Sequence, residues 1–439
     1  MRANYTVDWR AWYEERLCTA EGAAATVRSG DHVIFPPVHG SPQFVSALVA
    51  RKDQLRGVQV RGLALPAPEI MTPEASEAFW YQDQFGNAYS RPGLEARVID
   101  YQPFWLVGGH KGIDAGREEA WEIDLAQITT SPPNEKGFVC VGPNVWDSVP
   151  VARRAKRVAA AMNPLIGETF GDTWLHVTEI DHFFLDERPM AVLPPDYDKA
   201  DEGLAHYTNT LVKDGDTVQI GTGSHTTGMV HHGLFKGRQE LSYFGELTVQ
   251  GLVPLVEQGV FTGRTSALHP GRFVATLIGN TPAERAKVYG NRMFEAYSIE
   301  YLLDPRNVAK NENIVAINGG LGVDFSGQIA VYTIGPRIYA GIGGHLAFAI
   351  GAYLAPKGRY VCVTPSTAQK GTMSTITPQF AAGQVVSIPR EIADTVVTEY
   401  GIARLLGKSV RQRAEELISV AHPDFRAELR KAARGLFYP

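Results

Sequence analysis

One local pattern occurs twice in the chain and constrains its fold more than any other feature. Residues 29–34 (SGDHVI) lead into a Gly/Pro loop and a helical segment, and residues 214–220 (DGDTVQI) lead into a Gly-rich loop and another helical segment. The later segments 124–138 and 313–330 each combine an apolar strand with a glycine-containing turn. Short buried strands that alternate with helices are typical of open α/β sheets. The pattern predicts two related α/β halves, although two generic βα units could resemble each other by chance.

The chain length agrees with a division into two halves. A chain of 439 residues is long enough for two or three domains with buried cores. The stretch Glu187–Gly203 is rich in proline and charged residues, which is typical of a linker. We therefore predict an N-terminal α/β domain over residues 1–190, a linker over 191–203 and a C-terminal α/β domain over 204–439. A helical pattern from residue 7 to residue 28 predicts that the first domain opens with one long helix.

Composition and charge argue against several classes of protein. The chain has 42 Lys and Arg residues against 47 Asp and Glu residues, whereas nucleic-acid-binding proteins usually present a basic face. The first residues contain no apolar signal-peptide core, and the longest apolar run, Ala347–Ala355, is too short to span a bilayer. We therefore expect a cytoplasmic protein that binds neither nucleic acid nor a membrane.

The cysteines and the paired histidines do not indicate a metal site. Cys18, Cys140 and Cys362 are odd in number and far apart, so they predict neither a disulfide framework nor a zinc site. His231 and His232 are adjacent, which directs their side chains apart on a helix, and the chain has no HExxH motif. We therefore expect no metal cofactor.

Three loops of small and polar residues are candidates for ligand binding. Glycines allow a ligand to approach the backbone, and amides at a helix N-terminus favour a phosphate or a developing oxyanion. A tight turn, or close packing of a helix against a strand, would give the same sequences. The candidate residues are Gly221, Thr222, Gly223, Ser224 and His225 in the first loop, Ala340, Gly341, Gly343, Gly344 and His345 in the second, and Gln369 and Lys370 in the third.

Glu246 is distinctive among the many carboxylates because it lies in an otherwise uncharged run, YFGELT. A partly desolvated carboxylate is a better nucleophile, but its pKa rises unless hydrogen-bond donors offset the desolvation. A buried glutamate that is satisfied by neighbouring amides is the structural alternative. His39 and His225 occupy equivalent loops of the two predicted halves, so their imidazoles could converge on one site.

These loops, together with motifs along the whole chain, resemble the acetyl-CoA hydrolase/transferase family. Its members are class I CoA-transferases, which include the 4-hydroxybutyrate and succinate:acetate CoA-transferases. The resemblance extends from residue 9 to residue 433. The motifs that carry it are SPPNEKGF (131–138), GDTWLHVTEID (171–181), GTG (221–223), LVEQGVFTGR (255–264), GIGG (341–344), PSTA (365–368), VVTEYGIARLLGKSVRQRAEELI (396–418) and AHPDF (421–425).

The resemblance implies a fold, a substrate and a mechanism. It implies two NagB/RpiA-like open α/β domains with the active site at their interface, in a homodimer. It implies coenzyme A as the acyl carrier, with an acyl-CoA and a carboxylic acid as the binding partners. In this family a glutamate attacks the thioester to form an acyl anhydride, and the released CoA thiolate then forms a glutamyl-CoA thioester. An acceptor carboxylate resolves that thioester by the reverse steps.

The resemblance also assigns roles to particular residues. Glu246 matches the nucleophilic glutamate, and Gly221 to His225 match the first CoA-contacting loop. Gly344 matches the backbone donor that faces the thioester, and Ala340 matches a further CoA contact, so Gly341 and Gly343 belong to the same oxyanion-binding loop. The family lysine that follows Pro-Ser is shifted by one position, so either Gln369 or Lys370 fills that role.

Several positions depart from the family pattern where the acyl group or the acceptor should bind. An acidic residue is replaced by Gly322, an asparagine by Leu303, and the Asp-Phe after the GIGG motif by Ala347-Phe348. We therefore assign His39, Leu303, Gly322 and His345 to the substrate pocket and expect an unusual acyl group or a changed reaction.

Three classes of function remain open from the sequence. The first is CoA transfer between an acyl-CoA and a carboxylic acid. The second is hydrolysis of an acyl-CoA by water that His225 or His39 activates, with Glu246 as a base on a CoA-linked substrate as a variant. The third is a CoA-binding subunit without catalysis, against which the retained Glu246 argues.

Overall fold

The computed structural model describes residues 3–63, 65, 67–103, 111, 117, 120–189 and 198–437. The chain forms two compact units: Met1–Ala191 together with Val288–Glu300, and Val192–Lys287 together with Tyr301–Pro439. Residues 191–197 of the predicted linker lie outside the described residues, so a division at a linker over 191–203 stays a prediction.

The first unit contains a seven-stranded sheet in which all neighbouring strands run parallel. All six side chains of the strand Leu125–Thr130 are buried, as expected for a parallel sheet that is covered on both faces. The strands, in spatial order, are His182–Leu185, Arg157–Met162, Leu125–Thr130, His32–Phe35, Val58–Gly62, Phe79–Asp83 and Asp100–Tyr101.

Short helices and two small strand pairs complete the first unit. The helices are Trp9–Glu15, Ala20–Ala25, Pro42–Val49, Arg91–Glu95 and Ser148–Arg154, with 3-10 turns at Pro68–Met71, Pro73–Ala75 and Val177–Glu179. The strand pairs are Phe138–Cys140 with Trp174–His176, and Phe170–Gly171 with Phe294–Ala296.

The prediction of one long opening helix is wrong, because the segment forms the two helices Trp9–Glu15 and Ala20–Ala25. Between them the chain is extended, and the amide of Cys18 donates to the carbonyl of Phe183 (2.8 Å). Thr19 then caps the second helix with its side chain. A tertiary hydrogen bond to a neighbouring strand therefore overrides the local helical pattern.

The second unit contains a similar sheet, in which only the first two strands of the spatial order pair antiparallel. These strands are Gly401–Arg404, Thr395–Thr398, Arg359–Val363, Ile314–Gly319, Thr217–Ile220, Ser242–Phe244 and Phe273–Ala275. The helices after residue 199 are Ala200–Asn209, Ser224–His231, Leu252–Glu257, Pro282–Val288, Ile299–Leu302, Pro305–Ala309, His345–Leu354, Val410–Val420 and Pro423–Phe437. Smaller sheets are formed by Gly322–Asp324 with Ile329–Ala330 and Ile376–Thr377, by Thr333–Ile334 with Arg337–Ile338, and by Thr367–Ala368 with Met373–Ser374.

No helix in the described part of the chain combines the length and the apolar character that crossing a bilayer requires.

The two sheets share one topology, which confirms the predicted pair of related α/β halves. In each sheet the first strand of the repeat, His32–Phe35 or Thr217–Ile220, lies in the middle. The next two strands in the chain extend the sheet on one side, and the later strands extend it on the other side. Six consecutive strands follow the same order in both units, which is a stronger sign of duplication than the short sequence similarity.

An ion pair is repeated at the same place in both sheets. Asp31 and Asp216 each precede the central strand, and each accepts a hydrogen bond from the guanidinium of Arg157 or Arg359, respectively, at 2.6 Å. The two arginines begin equivalent strands. Each aspartate also accepts from the backbone amide three residues before it, at 2.8 Å for Asp31 and 2.6 Å for Asp216. The aspartate therefore fastens the turn to the sheet in both units.

We expect Asp216→Asn to lower the free energy of unfolding by about 2–3 kcal/mol, because it leaves Arg359 partly buried without its counter-charge. The Asp216 side chain is only 4% exposed. Urea denaturation followed by circular dichroism would measure the change. Asp424→Asn, at a side chain that is 84% exposed, is the matched control and should have almost no effect. Equal unfolding midpoints for Asp216→Asn and the control would contradict the structural role of the ion pair.

Candidate active site

The carboxyl ends of two neighbouring strands bring Glu246 and the Gly221 loop to the same edge of the second sheet. Val218 and Tyr243 are register partners in the parallel pair Thr217–Ile220 and Ser242–Phe244. Gly221 and Glu246 each lie three residues beyond this pair, so they are level with each other along the sheet. Ligands of open α/β sheets bind at this edge, outside the carboxyl ends of the strands.

The Glu246 carboxylate is buried, with the residue 9% exposed. Its Oε2 accepts a hydrogen bond from the Gly344 amide at 2.7 Å, the one hydrogen bond that the described residues give to this carboxylate. Its backbone carbonyl accepts from the Thr276 amide at 2.8 Å, which fixes the start of the side chain. Burial raises the pKa of the Glu246 carboxyl to about 7, and the hydrogen bond from Gly344 opposes this rise. The carboxylate is therefore held in place and is partly ionised near neutral pH.

Gly344 is the N-cap residue of the helix His345–Leu354. The positive end of the helix dipole favours an anion at this position, so the helix supports the ionised form of Glu246. A Cβ atom at Gly344 would overlap Oε2 of Glu246 and would lie 2.7 Å from Cδ2 of Leu303. Only glycine allows the backbone to approach the carboxylate this closely. Gly343 supplies a second constraint, since its φ of +55° lies in the left-handed region that favours glycine.

The loop from Gly221 to Ser224 joins the central strand to the helix Ser224–His231. Thr222, Gly223 and Ser224 are exposed at the edge where Glu246 lies. A Cβ atom at Gly221 would lie 2.6 Å from the amide oxygen of Asn318, so this position also requires glycine. The loop therefore presents accessible backbone at the same position along the sheet edge as the buried Glu246 carboxylate.

His225 is paired with Asp201, a residue that the sequence did not identify. Its Nδ1 lies 2.7 Å from Oδ1 of Asp201, whose side chain is fully buried. Burial lowers the pKa of the His225 imidazole, but the hydrogen bond and the negative charge of Asp201 outweigh burial, so the pKa is raised. The signal that could have revealed Asp201 is its position on the buried face of the helix Ala200–Asn209, beside Leu204 and Thr208.

His39 is fully engaged within the first unit. Its Nδ1 accepts from the Thr129 amide at 3.1 Å, and its Nε2 lies 2.7 Å from the Asn144 carbonyl and 3.0 Å from Oγ of Ser148. Burial lowers the pKa of the imidazole to about 4, so the ring is neutral. A water molecule would have to displace one of these partners before His39 could act on it.

The remaining pocket candidates lie in different surroundings. Leu303 is fully buried beside Gly344 and the Glu246 carboxylate. The Nε2 of His345 lies 2.6 Å from Oη of Tyr360 in the interior, and burial lowers the pKa of this imidazole to about 3. Gly322 begins a strand of a small three-stranded sheet. The structure therefore brings Leu303 to Glu246, whereas the His345 ring is engaged with Tyr360.

Gln369 and Lys370 form the tip of a β-hairpin. The strands Thr367–Ala368 and Met373–Ser374 pair antiparallel, and the Gly371 amide donates to the Ala368 carbonyl at 3.1 Å. Both tip residues are exposed and have positive φ, +50° and +58°. Non-glycine residues rarely adopt this conformation, so the tip stores backbone strain.

Ala340 and Gly341 lie in the segment that leads to Gly344. The Ala340 amide donates to the Tyr332 carbonyl at 3.1 Å, and Gly341 is buried. Among the described residues, no group of three His, Cys, Asp or Glu side chains is arranged to hold a metal ion.

We expect Glu246→Gln to stabilise the fold at alkaline pH. The carboxyl has a pKa of about 7 in the folded chain against a usual value of 4.5, so the folded state binds the proton more tightly. The free energy of unfolding of the wild type therefore falls as the pH rises from 4.5 to 7. The variant has no carboxyl at this position, so it does not lose this stability. The variant should be more stable than the wild type by about 3 kcal/mol at pH 8, and the difference should vanish below pH 4.5. Urea denaturation across this pH range tests it, and a pH-independent difference would refute it.

We expect Gly344→Ala to lower the free energy of unfolding by about 1–3 kcal/mol, because the added methyl group must displace Glu246 or Leu303. Gly435→Ala is the matched control, since its Cβ would meet nothing within 4 Å and it lies in the helix Pro423–Phe437. That change should be neutral or stabilising by up to about 1 kcal/mol. If both variants unfold at the wild-type urea midpoint, the close approach at Gly344 is not required.

Comparisons with known proteins agree with the fold and with the resemblance read from the sequence. Residues 1–194 match the family model of the acetyl-CoA hydrolase/transferase N-terminal domain, and residues 283–433 match that of the acetyl-CoA hydrolase/transferase C-terminal domain. The chain is 33% identical to the 4-hydroxybutyrate coenzyme A transferase of Clostridium kluyveri over 427 residues, which cover 96% of this chain and 98% of that protein.

Two further proteins are similar over almost their whole length. The succinyl-CoA:cyclohexane-1-carboxylate CoA transferase of Geobacter metallireducens is 33% identical, over 97% of this chain and 96% of that protein. The crystal structure of RipA from Yersinia pestis superimposes with a TM-score of 0.91 at 28% identity, over 98% of this chain and 99% of that chain. The chain belongs to the acetyl-CoA hydrolase/transferase family.

Proposed function

We propose that the protein transfers CoA from an acyl-CoA to a carboxylic acid through a glutamyl-CoA thioester on Glu246. The observation that carries this proposal is the buried Glu246 carboxylate, held at 2.7 Å by the Gly344 amide at a helix N-terminus. The similarity to CoA transferases of Clostridium kluyveri and Geobacter metallireducens over nearly the whole chain supports CoA transfer as the reaction class.

The first half-reaction forms the covalent intermediate. A carboxylate oxygen of Glu246 attacks the thioester carbonyl, and the C–S bond breaks to give a mixed anhydride and CoA thiolate. The thiolate then attacks the glutamyl carbonyl, the C–O bond breaks, and the acyl group leaves as a free carboxylate. One negative charge is present at every stage, so no net proton transfer is needed.

The second half-reaction repeats these steps with the acceptor. The acceptor carboxylate attacks the glutamyl thioester and releases CoA thiolate, which then attacks the acceptor's own carbonyl in the new anhydride. The products are a new acyl-CoA and the Glu246 carboxylate. Each thioester is exchanged for another of similar energy, so the cycle needs no external energy source.

The Gly344 amide has a further part in each step. Attack on a carbonyl places negative charge on its oxygen, and a fixed amide at a helix N-terminus stabilises such an oxyanion. Removal of one oxyanion donor typically lowers the rate by about 10²–10³-fold. Only the ionised form of Glu246 attacks the thioester carbonyl. Because Glu246 is partly ionised near neutral pH, its ionised fraction sets how much of the enzyme is reactive.

Hydrolysis of the acyl-CoA is a second candidate, which the pair of Asp201 and His225 favours. A carboxylate that orients an imidazole is an arrangement that can activate water. The His225 side chain is 36% exposed and lies beside the loop at the level of Glu246, so water can reach it.

Intact-protein mass spectrometry after incubation with acetyl-, propionyl- or succinyl-CoA tests the proposal. We expect a CoA-sized, hydroxylamine-sensitive adduct on the wild type and none on Glu246→Gln, whose transfer rate should fall at least about 10³-fold. Glu415→Gln, at an exposed side chain, is the control and should retain the adduct.

The same incubation distinguishes the two candidates. With a carboxylic acid present, transfer yields the acyl-CoA of that acid. Without an acceptor, steady release of free CoA that Glu246→Gln retains and His225→Gln loses would establish hydrolysis and overturn the transferase mechanism.

A further inference from the structure

The loop that carries the Gly344 amide has unusual conformational freedom. Three of its four residues, 341–344, are glycines, and glycine loses more backbone entropy on folding than any other residue. Just before the loop, the Ala340 amide donates to the Tyr332 carbonyl at 3.1 Å. A donor that stabilises an oxyanion must be held in a fixed position to be effective. A contact at the far end of the loop, where the helix His345–Leu354 begins, is therefore needed to fix the amide.

The helix that follows this loop buries mainly small apolar side chains. Apolar burial is non-directional, whereas a hydrogen bond depends on distance and angle. Within this fully described helix, His345 is the buried residue that has a polar side chain, and it is also the first residue. The buried residues are His345, Ala347, Phe348, Ala349, Gly351 and Ala352.

The directional contact of His345 is with Tyr360. The Nε2 of His345 lies 2.6 Å from Oη of Tyr360, and the two residues are 6% and 1% exposed. Tyr360 lies in strand Arg359–Val363, the third strand along the sheet from Ser242–Phe244, which precedes Glu246. The start of the helix is therefore bonded to the Glu246 carboxylate through Gly344 and to a distant strand through His345.

The His345–Tyr360 pair is uncharged near neutral pH. Burial lowers the pKa of the His345 imidazole to about 3. Burial, the Cys362 thiol and the Asp394 carboxylate raise the pKa of Tyr360 well above its usual value. Burial also raises the pKa of the Cys362 thiol to about 12. The hydrogen bond of the pair therefore persists over the pH range in which Glu246 titrates.

We propose that His345 and Tyr360 are positioning residues: their hydrogen bond fixes the start of the helix, and with it the Gly344 amide, against the Glu246 carboxylate. Gly344 and His345 are consecutive, so a shift at His345 moves the amide with it. A displacement of about 1 Å at a reacting group can lower a rate about 10²-fold. The inference rests on the proposed function for the reaction and on the two hydrogen bonds for the location.

The pKa of Glu246 tests this role without catalysis. The Gly344 hydrogen bond lowers that pKa, so a displaced amide lets it rise above about 7. We expect Tyr360→Phe, which removes the hydroxyl and keeps the ring, to raise the pKa of Glu246 by about 1. The pH dependence of the free energy of unfolding, relative to the same variant with Glu246→Gln, measures it. Burial raises the pKa of the neighbouring Tyr243, so Tyr243 stays neutral in this range.

Two tyrosines provide matched controls. Tyr81→Phe removes the hydroxyl of a fully buried tyrosine in the first unit, where it donates to the Gly62 carbonyl at 3.3 Å. Tyr353→Phe changes a 52% exposed tyrosine of the same helix as His345. Both variants should keep the pKa of Glu246 at about 7. An equal rise in Tyr81→Phe, or no rise in Tyr360→Phe, would overturn the positioning role.

The kinetics of CoA transfer give a second readout. Tyr360→Phe should lower kcat about 10–10²-fold and change KM for the acyl-CoA less than about twofold, because the amide acts in the transition state. His345→Leu should match it. His345→Gln should retain at least about half of kcat, since its amide nitrogen can take the place of Nε2 and bond Tyr360. A rise in KM without a loss of kcat, or equal losses in the two His345 variants, would refute the positioning role.

The positioning role and the transfer mechanism fail separately. Absence of the CoA adduct on the wild type would refute the glutamyl-thioester mechanism, while the titration of Glu246 would still test the His345–Tyr360 pair. An unchanged pKa of Glu246 in Tyr360→Phe, with the adduct present on the wild type, would refute the positioning role alone.

Discussion

The hydrogen bond between the Gly344 amide and the Glu246 carboxylate is the contact on which the candidate active site depends. It joins residues 98 positions apart in the chain. A buried carboxylate without a donor would be strongly destabilising as an anion and would remain protonated at neutral pH. One amide at a helix N-terminus keeps the pKa of Glu246 at about 7 despite burial. The same donor therefore affects both the position of the Glu246 carboxylate and its state of ionisation.

The sheet supplies the setting for this contact. Parallel strands end at a common edge, so the loops after strands Thr217–Ile220 and Ser242–Phe244 lie side by side although they are distant in sequence. Both units have this edge and the same aspartate–arginine pair at the opposite end of the central strand. The two units differ in the loop after the central strand. In the first unit His39 is neutral and fully bonded, whereas in the second unit the loop exposes its backbone.

Burial has opposite effects on the residues of the second unit. It raises the pKa of Glu246, which limits the ionised fraction but leaves each anion poorly solvated and reactive. It would lower the pKa of His225, but Asp201 reverses this effect through a 2.7 Å hydrogen bond. Different partners therefore shift the pKa values of two groups at one edge of the sheet. The Gly344 amide acts on the Glu246 carboxyl, and the Asp201 carboxylate acts on the His225 imidazole.

The sequence by itself determined the fold class and the family, and it predicted the residues of the candidate site. The repeated strand pattern predicted two α/β halves, and the resemblance to the family singled out Glu246 and Gly344, because sequence motifs are local signals. The tertiary structure decided which donor reaches Glu246, that Asp201 holds His225, that His345 bonds Tyr360, and that Cys18 interrupts the opening helix. Each of these depends on which strands and helices become neighbours, and residue spacing along the chain does not encode that order.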